Sequence, residues 1–429
     1  MSRFKRLWKR LAIGLALFAA VLLLAVAILH GWAGHRLEQK LAVLRAAGEP
    51  TCLAELASRP IPPEQNAAFL LQRAAPELEA FAKEHSDFFK MPLGQSYDER
   101  QPPTPEQVEF MRAVLDLHPE LLRTLQQAAA CEGYASQLDF SLNDPNQFFE
   151  KNNKSLQNFR SVGRFLRWRN IVLVAEGEQE QAAETGLVLL RLTRLYGAEP
   201  LLVNSLVAIA MRGIAIEGLN HALRAGPISA ELHQKLDQEL ARQDDPQWIV
   251  RVMKTERAYS LSAAGQLVVV AYWIPWSGKW LQADMIDYYD QLIPVMAQPW
   301  YQSHTKIHGL NHVSHWSPFS TSMIALLVPA IDAFLEAANR DTAMLRSLRV
   351  VGALTAYAQA NGHEARGLDD LHLPAAATLD PFSGQPLKLR STDDGWVVYS
   401  VFKNGADDGG DFHEMADWGL GPVGYRQEE

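Results

Sequence analysis

The first thirty residues constrain this chain more than any other segment, because they join a basic cluster to a long uncharged run. Five of the first ten residues are Lys or Arg, and residues 11–29 hold no charged or strongly polar side chain. At about 1.5 Å per residue, a helix over this run is roughly 28 Å long, close to the ~30 Å hydrocarbon layer of a bilayer. The pattern predicts a transmembrane helix.

The basic cluster also sets the expected orientation of that helix. Positive residues beside a span stay in the cytoplasm, so residues 1–10 are expected there and the bulk of the chain is expected to be periplasmic or otherwise extracytoplasmic. A cleavable signal peptide is the alternative, because residues 25–27 (AVA) resemble a small-x-small processing site. The length of the run favours an uncleaved, single-pass anchor in the inner (cytoplasmic) membrane.

Composition narrows the class of protein. Hydrophobic residues make up 48% and charged residues 21% of the 429 residues, which is typical of a chain that buries a core. A net charge of −9, with no basic run beyond residue 10, argues against nucleic acid as a partner. Cys52 and Cys131 could be bridged outside the cytoplasm or remain free thiols, and their spacing does not decide between the two.

Residues 33–340 show the periodicity of a helical domain. Apolar side chains recur every three or four positions, and few segments alternate as strands do. Start signals agree with this reading: Thr104 followed by Pro105 is an N-cap with proline at the first helical position. No stretch repeats at a period of about 34 or 40 residues, as a helical solenoid would. We therefore predict a mainly α fold, an irregular multi-helix bundle.

Residues 341–429 are predicted to form a small α+β module. One helix over residues 323–339 closes the helical domain, and a separate helix over residues 342–359 opens the module and stops at Gly362. Turn signals then bound two short strands, at residues 386–389 and 396–401. The prediction is a helix followed by a short antiparallel hairpin and an acidic, glycine-rich loop.

Motifs in this last segment carry a resemblance to a known family. They are LDDL (368–371), DPFSGQPL (380–387), YSV (399–401) and NGADDGG (404–410). The segment resembles the C-terminal module of an uncharacterised family of membrane-anchored bacterial proteins, which is in turn similar to the calcium-loop domain of the major pseudopilins of type II secretion. Shorter matches to the same family are LRAAGEP (44–50), PPEQNAA (62–68) and ERA (256–258).

The resemblance implies a calcium site in the acidic loop. Asp407, Asp411 and Asp417 fall at or near the carboxylates that hold the ion in pseudopilins, and calcium prefers such oxygen ligands. A solvated acidic turn is the alternative interpretation. Because the N-terminal segment lacks the processing site and the glutamate of a pseudopilin, the resemblance implies a shared fold and not a role in a secretion pilus.

A second candidate metal site is a stripe of histidines. His304, His308, His312 and His315 lie within twelve residues. On a helix they would share an arc of about 80°, from which two or three imidazoles could reach one zinc or copper ion. Gly309 weakens a helix at this point, so a polar surface stripe is the alternative.

No sequence motif assigns a reaction to the chain. The G-x-S-x-G elbow, the phosphate-cradling G-x-x-x-x-G-K loop and the dinucleotide fingerprint do not occur. We therefore expect a non-catalytic interaction or scaffold protein that holds a protein partner in the cell envelope. The alternative is a metal-dependent envelope hydrolase that uses the His304–His315 stripe.

Overall fold

The computed structural model of the chain describes residues 2–98, 101–136, 138–141, 145–199, 201–266, 276–310, 317–422 and 424–425. The described chain is mainly helical, as predicted, with a small antiparallel sheet near its C-terminus. The helices are α1 (Ser2–Ala46), α2 (Ala67–Arg73), α3 (Ala75–Phe88), α4 (Pro92–Gln95), α5 (Pro105–Asp116), α6 (Pro119–Ala129), α7 (Pro145–Ala175), α8 (Gln179–Tyr196), α9 (Leu202–Ala225), α10 (Ala230–Gln243), α11 (Trp248–Gly265), α12 (Ser277–Met296), α13 (Trp300–His308), α14 (Pro318–Asn361) and α15 (Ala375–Thr378). The strands are β1 (Lys388–Thr392), β2 (Gly395–Ser400) and β3 (Trp418–Leu420).

Helix α1 has an N-terminal part that is exposed and a C-terminal part that packs on α12. Its apolar side chains between residues 8 and 25 are exposed, with Leu15 at 72% and Leu23 at 69%. Further along the same unbroken helix, Ala33, Leu37 and Leu44 are buried where α1 packs on α12. The prediction of a long apolar helix at the N-terminus is confirmed, and this helix continues directly into the folded body of the protein.

Three described helices are long and apolar enough to cross a membrane. They are Trp8–Ala46, Leu202–Ala225 and Phe319–Asn361. The apolar stretch of the first has none of its residues buried in the protein, against 50% in the second and 28% in the third. The first is therefore the one whose apolar surface the folded body leaves wholly uncovered.

The larger hydrophobic core surrounds α7, α8 and α9. Small residues let these helices approach closely: a Cβ on Gly186 would lie 2.5 Å from Leu219 Cγ, and one on Gly163 would lie 2.3 Å from Met211 Sδ. Helices α2, α3, α5, α6 and α10 add apolar faces around this centre. Trp168 on α7 is fully buried there in edge contact with phenylalanine rings of α3.

A second core joins the C-terminal part of α1 to the later helices. It is formed by α11, α12, α13 and the first half of α14, with Leu37 and Leu44 of α1 packed into it. Because α14 contributes its first half to this core and its second half to the larger core, the two cores adjoin along this helix.

The structure differs from the sequence prediction near residue 340, where α14 runs unbroken through the expected helix boundary. Asn339, Asp341 and Thr342 are of residue types that are common at helix ends. In the structure Asn339 Nδ2 donates to the Leu335 carbonyl oxygen at 2.8 Å and Thr342 Oγ1 donates to that of Ala338 at 3.0 Å. Both side chains thus bond to the preceding turn of the same helix and do not end it.

The sheet has the order β1-β2-β3 and is antiparallel throughout. The predicted hairpin is present, with strands shifted by up to three residues at their ends, and β3 adds an edge that the sequence pattern did not indicate. Asp380 ties the turn before β1 to the end of β2. Its buried carboxylate accepts hydrogen bonds from the Phe382 N–H, Ser383 Oγ, Ser400 Oγ and the Val401 N–H, at 2.7–3.3 Å.

The C-terminal module packs on both cores. Val398 and Leu420 belong to the larger core, whereas Phe382 and Phe402 belong to the second. Helix α14 lies against both β2 and β3. The division of the chain into residues 33–340 and 341–429 stays a prediction.

Candidate functional site

The acidic loop holds its carboxylates through contacts within the C-terminal module. Asp407 Oδ1 accepts from Tyr399 Oη at 2.9 Å and from the Gly409 N–H at 3.2 Å, and its other oxygen lies 3.4 Å from Lys388 Nζ. Burial alone would raise the pKa of Asp407, but these hydrogen bonds and the lysine charge hold it below its usual value. Asp407 is therefore an ionised anchor of the loop.

Asp417 lies deeper than the other predicted ligands. Its side chain is fully buried, with Oδ2 accepting from the Gly410 N–H at 2.8 Å and Oδ1 left without a hydrogen-bond partner. Burial, together with the charges of Asp408 and Asp407, raises its pKa to about 6. A buried carboxylate oxygen without a hydrogen-bond partner is a group that a bound cation would stabilise.

Asp411 forms hydrogen bonds with backbone N–H groups of its own loop. Its Oδ1 accepts from the His413 N–H and its carbonyl oxygen accepts from the Asp417 N–H, both at 2.8 Å. Among the described residues, no three His, Cys, Asp or Glu side chains are grouped so that they could hold one metal ion. Calcium binding by Asp407, Asp411 and Asp417 stays a prediction, with Asp417 Oδ1 as the donor that fits it.

Only part of the histidine stripe lies in the described chain. His304 stacks on Trp300, with ring centroids 5.3 Å apart, and its Nδ1 lies 2.9 Å from the Trp300 carbonyl oxygen. His308 ends α13, but its side chain falls outside the described residues, as do His312 and His315. The transition-metal site therefore stays a prediction. Both cysteines, whose state the sequence left open, are free thiols.

Sequence reasoning missed a cleft between the turn after α8 and helices α9, α10 and α11. Its volume is about 440 Å³, and Glu199, Arg212, Gln243 and Trp248 are among the side chains that line it. Polar side chains and a tryptophan converging on one concave surface are typical of a binding site. Nothing in the local sequence marks these residues, which come from four separate elements.

Glu199 is a buried carboxyl group of this cleft whose pKa is raised. It is 2% exposed, its Oε1 accepts from Ser136 Oγ at 2.8 Å, and its Oε2 is buried without a hydrogen-bond partner. Burial raises its pKa to about 7, and the hydrogen bonds from Ser136 offset only part of that effect. A carboxyl group that titrates near neutral pH can accept a hydrogen bond from a bound group or donate one to it.

Arg212 forms the cationic side of the same cleft. It is 5% exposed, its Nη1 lies 3.2 Å from Asp341 Oδ2 on α14, and its guanidinium carbon is 5.9 Å from the centre of the Trp248 ring. Its Nε and Gln243 Oε1 are both buried without hydrogen-bond partners. Because buried polar atoms are rarely left unpaired, these atoms mark a place where a bound molecule would complete the hydrogen bonding.

The junction between α1 and the body is fixed by two groups of ion pairs. Arg36 Nη1 lies 2.8 Å from Asp284 Oδ1 on α12, and Lys40 pairs with Asp287 on the same helix. Beyond the end of α1, Glu49 pairs with Arg257 and with Lys254, both on α11. Two of the short motifs noted in the sequence, LRAAGEP and ERA, thus meet through Glu49 and Arg257.

Burial makes the second group of ion pairs the more important for stability. Arg257 is 1% exposed. For Glu49, burial would raise the pKa, but hydrogen bonds from Lys254 and Arg257 outweigh it and hold the pKa below its usual value.

Comparison of the chain with protein-family models, curated proteins and solved structures found no match. The geometry of the cleft, the loop and the junction therefore carries the functional inference.

Proposed function

We propose that this chain is a single-pass inner-membrane protein whose helical body lies outside the cytoplasm, where it acts as a non-catalytic interaction or scaffold protein of the cell envelope. The basic residues at the start of α1 support this orientation. The C-terminal module, by its resemblance to the pseudopilin calcium-loop domain, would use a bound calcium ion to lock the acidic loop.

Packing supports a single span. Helix α9 lies at the centre of the larger core, and its buried polar side chains bond to other parts of the body. Asn204 Nδ2 donates to Tyr196 Oη at 3.2 Å, and Asn220 Nδ2 donates to the Gly421 carbonyl oxygen at 3.0 Å. Moving α9 into lipid would break these contacts and the Arg212–Asp341 pair, which is costly in hydrocarbon.

The observation that carries the proposal is the rigid junction. An enzyme acting on a diffusing substrate needs only a flexible tether to stay near a membrane. Here one continuous helix passes from the apolar run into the second core and is held by Arg36, Lys40 and Glu49. Such a junction fixes the height and orientation of the body above the bilayer, which is what a protein that presents a surface to a membrane partner requires.

Location is tested first, with the full chain in cells. We expect the protein to resist extraction by alkaline carbonate and its body to be digested by protease added to spheroplasts, while a cytoplasmic marker protein survives. A chain recovered as a soluble cytosolic species would overturn the proposal.

Interaction is tested by site-specific photo-cross-linking in intact cells. A photoreactive residue replacing the exposed Arg242, which lines the cleft, should give a discrete adduct that weakens in the Glu199→Gln variant. The same residue at exposed Arg123 on α6 is the control and should give none. Equal adducts at both positions, or none at either, would remove the cleft as the partner site.

Metal analysis of the full chain separates this proposal from the sequence-based alternative of a metal-dependent hydrolase. Stoichiometric zinc that is lost on changing His308 and His312 to Ala would favour the hydrolase. Calcium binding without a transition metal would favour the interaction protein.

A further inference from the structure

We propose that a second cavity, between α3, α7 and α9, binds the phosphate group of a small ligand through Arg160, Arg164 and Arg167. The cavity has a volume of about 280 Å³, enough for a phosphate and an attached ring. It is separate from the Glu199 cleft, and among the described residues neither the acidic loop nor the His304–His315 stripe contributes to its lining.

The three arginines share one face of α7. They are spaced four and three residues apart, so the helix places them in a row that lines the same cavity. Like charges in such a row repel one another and destabilise the helix unless an anion lies between them. Guanidinium groups match the oxygens of phosphate in charge and geometry, which makes this row suited to that anion.

Few carboxylates compete for these arginines. Glu217 on α9 lies 3.7 Å from Arg167 Nη2 and is itself more than half exposed. In the part of the chain that the structure describes, neither Arg160 nor Arg164 forms an ion pair. His221 on α9 also lies within electrostatic range of Arg167, and it adds no negative charge. The described residues that line the cavity are thus cationic or neutral.

The pKa of His85 on α3 shows the effect of these positive charges. Burial first, and then the charges of Arg164 and Arg167, lower its pKa to about 4. The imidazole is therefore neutral at physiological pH. A neutral ring beside three guanidinium groups remains available to hydrogen-bond a phosphate ester oxygen without adding to the repulsion.

The other walls are aromatic. The His85 ring lies 4.9 Å from the Trp168 ring and 5.1 Å from that of Phe89, and Tyr97 closes the same side. A ligand that carries its phosphate on a flat apolar body would place the body against these rings. This wall is why we favour a phosphate ester over free inorganic phosphate.

Titration calorimetry on the full chain in dodecyl maltoside, a detergent without phosphate, tests the proposal with defined probes. We expect phenyl phosphate to bind about fivefold more tightly than inorganic phosphate, because only the ester contacts the rings. Arg164→Gln should weaken phenyl phosphate binding by about tenfold or more, since it removes charge-assisted hydrogen bonds. The affinity of Arg164→Lys for phenyl phosphate should fall between those of the unsubstituted chain and of Arg164→Gln.

The matched control is Arg123→Gln, which removes the same charge from an exposed site on α6 and should leave binding unchanged. Thermal melting of each variant confirms that it is folded, and a melting temperature raised by phenyl phosphate only when Arg164 is present would support the site independently. A short-chain phosphatidic acid, added below its critical micelle concentration, distinguishes the source. If this lipid is the only probe that binds, the phosphate site is supported and its ligand is a membrane lipid. No binding of any phosphate probe, or equal affinity in Arg164→Gln, would overturn the proposal.

Discussion

Substituting Glu49 by Gln tests whether the junction after α1 is held by a buried ion pair. The change keeps the size of the side chain and removes its charge. Arg257, which is 1% exposed, then loses its nearest carboxylate. Asp290 remains, but its Oδ1 lies 3.4 Å from Arg257 Nη1 and its side chain is 53% exposed.

The expected loss follows from burial. Removing one partner of a buried pair costs about 3–5 kcal/mol, because the remaining charge is left in a poorly solvated site. Glu49 is 21% exposed and Asp290 gives partial compensation, so the low end of this range applies, about 3 kcal/mol. Compared with a typical stability of 5–15 kcal/mol for a folded domain, this loss is readily measured.

Urea unfolding of the full chain in detergent, followed by circular dichroism, is the assay. At pH 7 the Glu49→Gln variant should unfold at lower urea than the unsubstituted chain. Because the pKa of Glu49 is lowered on folding, its contribution is present above the ordinary value of 4.5 and is lost as the pH falls through the folded value. The two unfolding curves should therefore converge below about pH 4.5.

An exposed ion pair on α1, between Arg45 and Glu38, gives the matched control. The side chains of Arg45 and Glu38 are 50% and 64% exposed, and Arg45 Nη1 lies 2.5 Å from Glu38 Oε1. Arg45→Gln should lower the free energy of unfolding by less than about 1 kcal/mol. Equal losses for the two variants, or a difference at pH 7 that persists unchanged at pH 3, would refute the reasoning.

Three further predictions concern other parts of the body. Glu199→Gln should make stability less dependent on pH. A carboxyl group whose pKa is raised to about 7 on folding contributes stability that is fully present below its ordinary pKa of 4.5 and is lost as the pH rises through 7. The urea midpoint should therefore fall further between about pH 5 and 8 for the unsubstituted chain than for the variant. Gly186→Ala should cost about 1–3 kcal/mol in urea unfolding, because its Cβ would collide with Leu219, whereas Gly352→Ala on α14, where the Cβ meets nothing within 4 Å, should be neutral or stabilising. Calcium at millimolar concentration should raise the melting temperature of the full chain and not that of the Asp417→Asn variant, and an equal rise in both would remove Asp417 from the proposed site.

Much of the fold could be predicted because its signals are local. A capping box that joins Thr104 and Gln107 starts α5, where the sequence indicated an N-cap, and the Ser229 hydroxyl accepts from the Leu232 N–H at the start of α10. Near residue 340 the predicted break was wrong, because Asn339 and Thr342 hydrogen-bond to the preceding turn and the helix continues. Strand β3 has only three residues, too few for an alternating pattern to be recognised.

The candidate site was harder to predict because its signals are not local. Glu199 is an ordinary residue of a turn in the sequence, and its raised pKa arises from burial beneath segments that are distant along the chain. Arg212 was hidden in the same way, as one charge on an apolar helix. The acidic loop was noticed because its aspartates are adjacent in sequence, yet adjacency alone does not turn their oxygens towards one point.

The pairing of Glu49 with Arg257 shows how a local motif gains meaning from tertiary structure. In the sequence, LRAAGEP and ERA are two short matches separated by about 200 residues, and each alone reads as a helix end or a surface charge. In the structure the first motif supplies the carboxylate and the second the buried guanidinium that hold the end of α1 against α11. Removing the Glu49 carboxylate leaves the buried Arg257 with only the more distant Asp290. Because the pair joins the end of α1 to α11, a change in either motif would alter how the body is held on α1, which makes the junction as important to the proposed function as either cavity.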